Sequence, residues 1–408
     1  MKILLCNKFY YRRGGDCIYT MNLEQMLKAH GHEVAVFSQQ YPLNEPSPWS
    51  KYWPSEFKMK PSATMFDSLM RPFGRGSVVG KFEALLDDFF GPVNAKASVS
   101  DDSRSQYQGC VVHLNNIHTQ LSPILAELAH LRGIRVVWTL HDSKLVCPCY
   151  TCMRDGQWCE ECFTDKRAVL RNGCMTGGKL GAYIGYREAM KWTPERLQAC
   201  VDTFICPSQF LADTMIRGGY SQEKITVLHN FIEASKVDSP NLTKGDYYLY
   251  VGRINQVKGL RTLCKAAAQL PHKLIIVGDG ELKPELEAQY ADAPQIEWRG
   301  QQQWAQFRPL IEGARFMVVP SEWLENNPLT IIESLSLGTP VLGAEIGGIP
   351  EMISGENGMT FKSGNAEALK QAIQLMFSKK DINYEAIAAE ALHNHSDQYY
   401  YDQLLKIY

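Results

Sequence analysis

The sequence predicts an α/β protein made of two doubly wound parallel-sheet domains facing across a cleft. Three observations carry this prediction. Short apolar runs without polar alternation recur along the chain, the mark of strands buried on both faces. Helix-period stretches separate them, and strand–helix alternation builds a parallel sheet covered on both sides. The alternation lapses at a polar stretch, EASKVDSPNLTKG, from Glu233 to Gly245, and then restarts. A chain of 408 residues is also too long for one ordinary core.

The first domain is expected over residues 1–232. MKILLC reads as a buried strand, Gly14-Gly15 as the turn after it, and IYTMNLEQMLKAHGH as a helix closing at a glycine. EVAVFS, CVVHLN, RVVWTL, DTFIC and ITVLHN are further strands, with SPILAELAHLRG a helix among them. Residues 233–245 form the linker. The second domain, 246–388, opens with the strand YLYVGR and the helix GLRTLCKAAAQL. KLIIVGDG, QIEWRG, ARFMVVP and TPVLGAE are its other strands, and a helix beginning near Pro328 precedes the last. In such sheets ligands sit outside the carboxyl ends of the strands, so two facing crevices suit an enzyme that joins two substrates.

Residues 40–109 break the pattern. Lys51 to Lys81 holds six basic residues against two acids, interleaved with Tyr52, Trp53, Phe57, Phe66 and Phe73. Two readings stand: a long insertion packed over the first domain, or a segment for a membrane surface or acceptor. Val93 to Gly109 reads as a mobile loop. Net charge is −2, which recommends no nucleic-acid partner. The opening apolar run, ILLC, is too short for a signal peptide, and no run approaches the ~20 residues that span a bilayer. A cytoplasmic chain is expected, with peripheral contact at the inner membrane face if the basic segment serves it. Twelve cysteines in a reducing compartment are thiols or metal ligands rather than disulfides.

Four motifs carry chemistry. In SEWLENNPLTIIESLSLGTPV, Asn327 is expected to cap a helix whose first residue is Pro328, with Gly338 ending it. Glu325 then lies before the helix and Glu333 inside it, both able to accept hydrogen bonds from polyol hydroxyls. The helix start favours an anion. The plain alternative is a capped helix with two solvated glutamates. VGRINQVKG sets Arg253 and Lys258 in a strand-to-helix loop, where two cations can neutralise a diphosphate; alternatively both are merely exposed. Gly14-Gly15 lets backbone N–H groups approach a phosphate, although Gly-Gly also makes ordinary turns. The first strand lacks G-x-G-x-x-G after it, which argues against a nicotinamide dehydrogenase. CPCYTCMRDGQWCEECF places cysteines at 147, 149, 152, 159 and 162, with Cys174 beyond. The C-x2-C of Cys159 and Cys162 has zinc-knuckle spacing; reduced thiols or disulfides formed in air are the alternatives.

Taken together, VVHLNNIHTQLSP, TLHD, CPSQF, VLHNFI, YVGRINQVKG, LIIVGDGEL and PSEWLENNPLTIIESLSLGTPVLGAEIGGIPE resemble the family 4 glycosyltransferases, retaining enzymes of GT-B architecture, over nearly the whole chain. The resemblance implies transfer of a hexose-type sugar from a nucleotide-sugar donor to a hydroxyl of a glycan or lipid-linked acceptor, in surface polysaccharide synthesis. It implies that Glu333 holds the nucleotide ribose and that Glu325 contacts the transferred sugar. Backbone N–H groups from Asn327 through Pro328 to Leu329 approach the sugar or phosphate. Arg253 and Lys258 hold the diphosphate, so that no catalytic metal is expected. His118 touches the donor sugar or the incoming hydroxyl. Similar members carry cysteines matching Cys147, Cys159, Cys162 and Cys174, a set for one structural zinc, with Cys149 and Cys152 as alternative ligands. Residues 389–408 return as a helix to the first domain. Many members have Phe-Gly where this chain has Asn327-Pro328, a departure that bears on sugar preference. A GT-B sugar-nucleotide epimerase and a silent sugar-binding protein of the same fold are the competing functions.

Overall fold

The structure, a computed structural model, describes residues 1–92 and 106–408. Its first sheet runs through β1 (Lys2–Cys6), β2 (Glu33–Phe37), β3 (Cys110–Leu114), β4 (Arg135–Thr139), β7 (Thr203–Cys206) and β8 (Ile225–Val227), with a small antiparallel ribbon of β5 (Met153–Arg154) and β6 (Gln157–Trp158) apart from it. The order is β2-β1-β3-β4-β7-β8, all parallel. The second sheet holds β9 (Tyr247–Val251), β10 (Lys273–Val277), β11 (Ile296–Gly300), β12 (Met317–Val319), β13 (Val341–Ala344) and β14 (Gly358–Phe361) in the order β11-β10-β9-β12-β13-β14, again parallel.

Both faces of the second sheet are covered, which explains why its strands are apolar without alternation. Tyr248, Tyr250, Leu274 and Ile276 join one core, against Leu263 and Ile373. Leu249, Ile275, Val277 and Met317 join the other, against Ile331 and Leu335. Truncating one such side chain, Ile276→Ala for instance, should cost about 2–5 kcal/mol.

The chain divides into one unit of residues 1–228 with 401–408 and a second of 229–400. The expected boundary after residue 232 therefore moves back. The reason is local: Asn230 donates from its backbone N to Asn327 Oδ1 (2.8 Å), and Ile232 N donates to the His395 carbonyl (2.9 Å), so these residues are tied into the second unit. The return at the C-terminus is likewise shorter than 389–408. Phe231 packs on Tyr400 within the second unit, and residues 401–408 alone group with the first. There Tyr408 Oη lies 2.5 Å from His113 Nδ1, and Arg135 Nε donates to the Ile407 carbonyl (2.8 Å).

The stretch from residue 40 contains a 3-10 turn, Pro48–Tyr52, and the helices Met65–Met70 and Ser77–Phe90. Ser77–Phe90 buries Val78, Phe82, Leu85, Leu86 and Phe89, and Phe82 meets Phe37 of β2 edge to face at 5.0 Å. Trp53 is buried and donates to the Val36 carbonyl (2.9 Å). Most of this segment is thus an insertion packed on the first sheet. Of the loop expected at Val93–Gly109, residues 93–105 lie outside the described residues. No helix among the described residues is long and apolar enough to cross a membrane.

Candidate active site

Strand order locates the sites. In the second sheet the order in which strands are added reverses at β9: β10 and β11 lie on one side, β12 to β14 on the other. The loops after β9 and β12 flank this switch point, where open parallel sheets bind ligands. They carry Arg253 and Lys258 on one side and Glu325 on the other. In the first sheet the reversal lies between β1 and β3, and the loops there carry Gly14-Gly15 and His118.

The loops of the second unit are fastened together by backbone. Glu322 N donates to the Val257 carbonyl at 2.9 Å. Gly259 sits at φ +71°, and a Cβ there would come within 1.8 Å of the Pro320 carbonyl oxygen, so only glycine lets the two loops close up. Lys258 Nζ lies 2.5 Å from Glu325 Oε1, which also accepts from Ser321 Oγ at 2.9 Å. The two residues assigned to diphosphate and sugar are therefore an ion pair in this structure. Arg253 is exposed, with no ion pair to a described residue.

Glu333 lies in the helix Leu329–Ser336. Its carboxyl makes no hydrogen bond with a described residue, and burial pushes it up to about 7, with Lys236 opposing. The helix begins one residue later than expected. Pro328 is the cap, at φ −63° and ψ 120°, and Leu329 is the first helical residue. Asn327 is not the cap, because its side-chain oxygen is already engaged by the Asn230 backbone. Nor are the glutamates solvated: the Glu325 side chain is 14% exposed.

In the first unit, Gly14 is extended (φ −160°, ψ 179°) and caps the helix Gly15–Ala29. No atom lies within 4 Å of the position a Cβ on Gly15 would take, so ligand atoms could approach that helix start. Asp16 follows in the first turn. Burial works to raise its carboxyl, but Lys8 at 3.8 Å, His141 and the Asn116 amide at 3.1 Å hold it below the ordinary range.

His118 is buried rather than solvated. It stacks on Trp138 with centroids 5.3 Å apart, and its Nε2 is 4.0 Å from Asp142 Oδ1. Burial, helped by nearby Lys144, pushes it down to about 3, so the imidazole is neutral and can donate or accept one hydrogen bond. Its loop is strained: Thr119 sits at φ +58° and Ser122 at φ +79°. Glu188, from the helix Gly178–Lys191, holds that loop by accepting from Thr119 N (2.8 Å) and Thr119 Oγ1, while Lys144 Nζ stands 3.3 Å from its other oxygen. His118, Lys144 and Glu188 line a cavity of ≈ 20 Å³. In the sequence Asp16, Lys144 and Glu188 each look like an isolated charge until the fold gathers them, whereas His141-Asp142 after RVVWTL reads as a pair that lines the cleft or caps a helix.

The cysteines gather as well, in another form than a four-sulfur metal site. Cys147 Sγ is 3.3 Å from Cys149 Sγ, and no three His, Cys, Asp or Glu among the described residues stand where they could hold a metal ion. Cys147 contacts Cys149 and Cys152, Cys174 contacts Cys149, and Cys162 lies near Cys147, Cys149 and Cys174. Contact with Cys149 lowers the Cys147 thiol, but contact with Cys152 and burial outweigh it and carry it to about 11; burial pushes Cys162 up to about 12.

With two parallel sheets and charged loops at both switch points in place, comparison with known proteins is informative. The family model described as Glycosyltransferase Family 4 matches residues 13–236, and the one described as Glycosyl transferases group 1 matches 245–379. The chain belongs to glycosyltransferase family 4. It is 32% identical over 124 residues to the sulfoquinovosyl transferase SQD2 of Arabidopsis thaliana, 29% of this chain and 24% of that protein. To the lipopolysaccharide 1,6-galactosyltransferase of Escherichia coli K12 it is 26% identical over 222 residues, 51% of this chain and 61% of that protein. The matches thus span about a quarter of the first relative's length and less than two thirds of the second's. The solved structure of Anabaena HepE in complex with UDP-glucose superimposes with a TM-score of 0.63 at 17% identity, over 100% of this chain and 99% of that one. The fold is GT-B.

Proposed function

We propose that the chain is a retaining glycosyltransferase that moves a hexose-type sugar from a nucleoside-diphosphate sugar to a hydroxyl of a glycan or lipid-linked acceptor in surface polysaccharide synthesis. One observation carries the reading: the loops at the β9/β12 switch point carry Arg253 and the Lys258–Glu325 ion pair, and the helix that follows holds Glu333, whose carboxyl makes no hydrogen bond with a described residue. Cations there suit a diphosphate, and a carboxyl without a partner suits the paired hydroxyls of a ribose. The UDP-glucose held by HepE and the galactosyltransferase activity of the E. coli relative point the same way.

Arg253 and Lys258 stabilise the departing diphosphate, the role a divalent cation plays in other transferases. As the donor binds, Lys258 is shared between Glu325 and phosphate. Glu325 faces sugar hydroxyls, Glu333 the ribose, and neutral His118 the sugar or the incoming hydroxyl. With no carboxylate set as a nucleophile, a donor phosphate oxygen accepts the acceptor proton on the same face, which preserves configuration.

A thermal-shift screen against UDP-, GDP-, ADP- and dTDP-sugars tests the donor, since a ligand of the folded state raises Tm by mass action. One nucleotide sugar should stabilise the protein; no shift from any of them sinks the reading. Proton NMR of the first product formed tests retention, and an inverted anomeric centre refutes it. Turnover should persist in excess EDTA; loss that Mg²⁺ or Mn²⁺ reverses would refute the assignment of charge to Arg253 and Lys258.

A further inference from the structure

A groove of ≈ 750 Å³ lies in the first unit, between the helix Gly178–Lys191 and the segment that ends the helix Met65–Met70. That volume is typical of a site for one small or medium ligand. Its walls are Met70, Phe73, Tyr183 and Met190; its charges are cationic, and no carboxylate lines it. Of the four cations, two are occupied. Arg196 is paired with Glu127 (Nη2 to Oε2, 3.0 Å), and Lys191 donates to the Phe73 carbonyl. The other two, Arg75 and Arg187, are exposed and have no ion pair with a described residue.

The helices beside the groove also present apolar side chains to solvent. Phe66 is 74% exposed and Leu180 is 62% exposed. Single exposed apolar residues are ordinary; these two stand on the same helices, four and three residues before the lining residues Met70 and Tyr183. Glu188 on the same helix holds the His118 loop, so one helix serves both the groove and the candidate active site.

We propose that this groove seats a single anionic amphiphile, the phosphate-bearing lipid part of the acceptor. The inference rests on the transferase reading. Arg75 and Arg187 meet the phosphate, and the Met and aromatic walls take the first carbons of the chain. Concavity decides for one lipid molecule over a flat membrane face: a membrane is met by protruding elements, while a recess of this size encloses a ligand.

Titration calorimetry with decyl phosphate tests this, with inorganic phosphate and decyl glucoside as the anion-only and chain-only controls. Decyl phosphate should bind at least about tenfold more tightly than either control, because only it uses both the cations and the walls. The double variant Arg75→Glu/Arg187→Glu should lose that preference with an unchanged circular dichroism spectrum and an unchanged Tm shift with the donor nucleotide. Equal binding of decyl glucoside, or undiminished binding by the variant, overturns the proposal. So does capture by phosphatidylglycerol vesicles that decyl phosphate fails to compete, which would mark a membrane face. If decyl phosphate binds as expected and no nucleotide sugar does, the groove stands and the transferase reading falls; the converse result removes the groove alone.

Discussion

The two switch points are built on opposite electrostatic plans. In the first unit the charges answer one another: Lys8 with Asp16, Lys144 with Glu188, and a histidine so enclosed that it stays neutral. In the second unit Lys258 and Glu325 answer each other but the rest is left open: among the described residues exposed Arg253 has no ion pair and the Glu333 carboxyl no hydrogen bond. A charge already answered holds a loop in shape, whereas an open charge lowers its free energy when a ligand answers it. Mutations in the first unit should therefore register mainly as lost stability, and those in the second as lost binding and turnover.

The largest effect is expected at Glu188. Removing one partner of a buried ion pair leaves the other charge uncompensated, at a cost of about 3–5 kcal/mol. Glu188→Ala strands Lys144, whose side chain is 11% exposed, and frees the His118 loop. Urea denaturation should show that loss. A variant as stable as the wild type would mean that the first-unit network does not hold the loop.

Next come Arg253→Ala and Lys258→Ala, each expected to lower turnover by about 10²–10³ through lost stabilisation of the leaving group. Tm should barely move for Arg253→Ala, because that side chain is exposed and makes no ion pair with a described residue. Near wild-type turnover in both variants would take these residues out of the mechanism.

The smallest and most specific effect concerns pH. The Glu333 carboxyl ionises at about 7, above its ordinary 4.5, so it costs the fold nothing below pH 4.5 and its full destabilisation above about 7. Ribose hydroxyls donate best to the ionised form. Between pH 6 and pH 8 that form rises from a tenth of the population to most of it, so nucleotide affinity should rise about tenfold. Calorimetry at the two pH values reads this directly. Glu333→Gln should bind more weakly, by about 1.5–3 kcal/mol, and lose the slope; an unchanged slope would place the titrating group elsewhere.

Much of this architecture could be read from the chain because parallel strands buried on both faces are written as continuous apolar runs. KLIIV and YLYV need no neighbour to be recognised. The glutamate pair and the Arg–Lys loop were legible for a related reason, since each is a local pattern after a strand. The helix Ser77–Phe90 is hard to see in the sequence although Val78, Phe82, Leu85, Leu86 and Phe89 have helical spacing, because basic and aromatic residues crowd the stretch before it. Asn327 looks like a cap in the sequence because its actual partner, Asn230, is remote along the chain. The burial of His118 was out of reach for the same reason: Trp138 and Glu188 come from distant segments.

The return of residues 401–408 to the first unit has a consequence in time. A ribosome releases strands β1 to β8 before any of the second unit, yet the side chain that meets His113, and the carbonyl that Arg135 grips, are made only after the second unit is complete. His113 is fully buried in the finished protein. On the nascent chain it waits without its tyrosine, and the domain synthesised first is the one finished last. Parallel sheets already fold slowly, because their strand pairs are distant in sequence. This arrangement adds a delay set by translation itself.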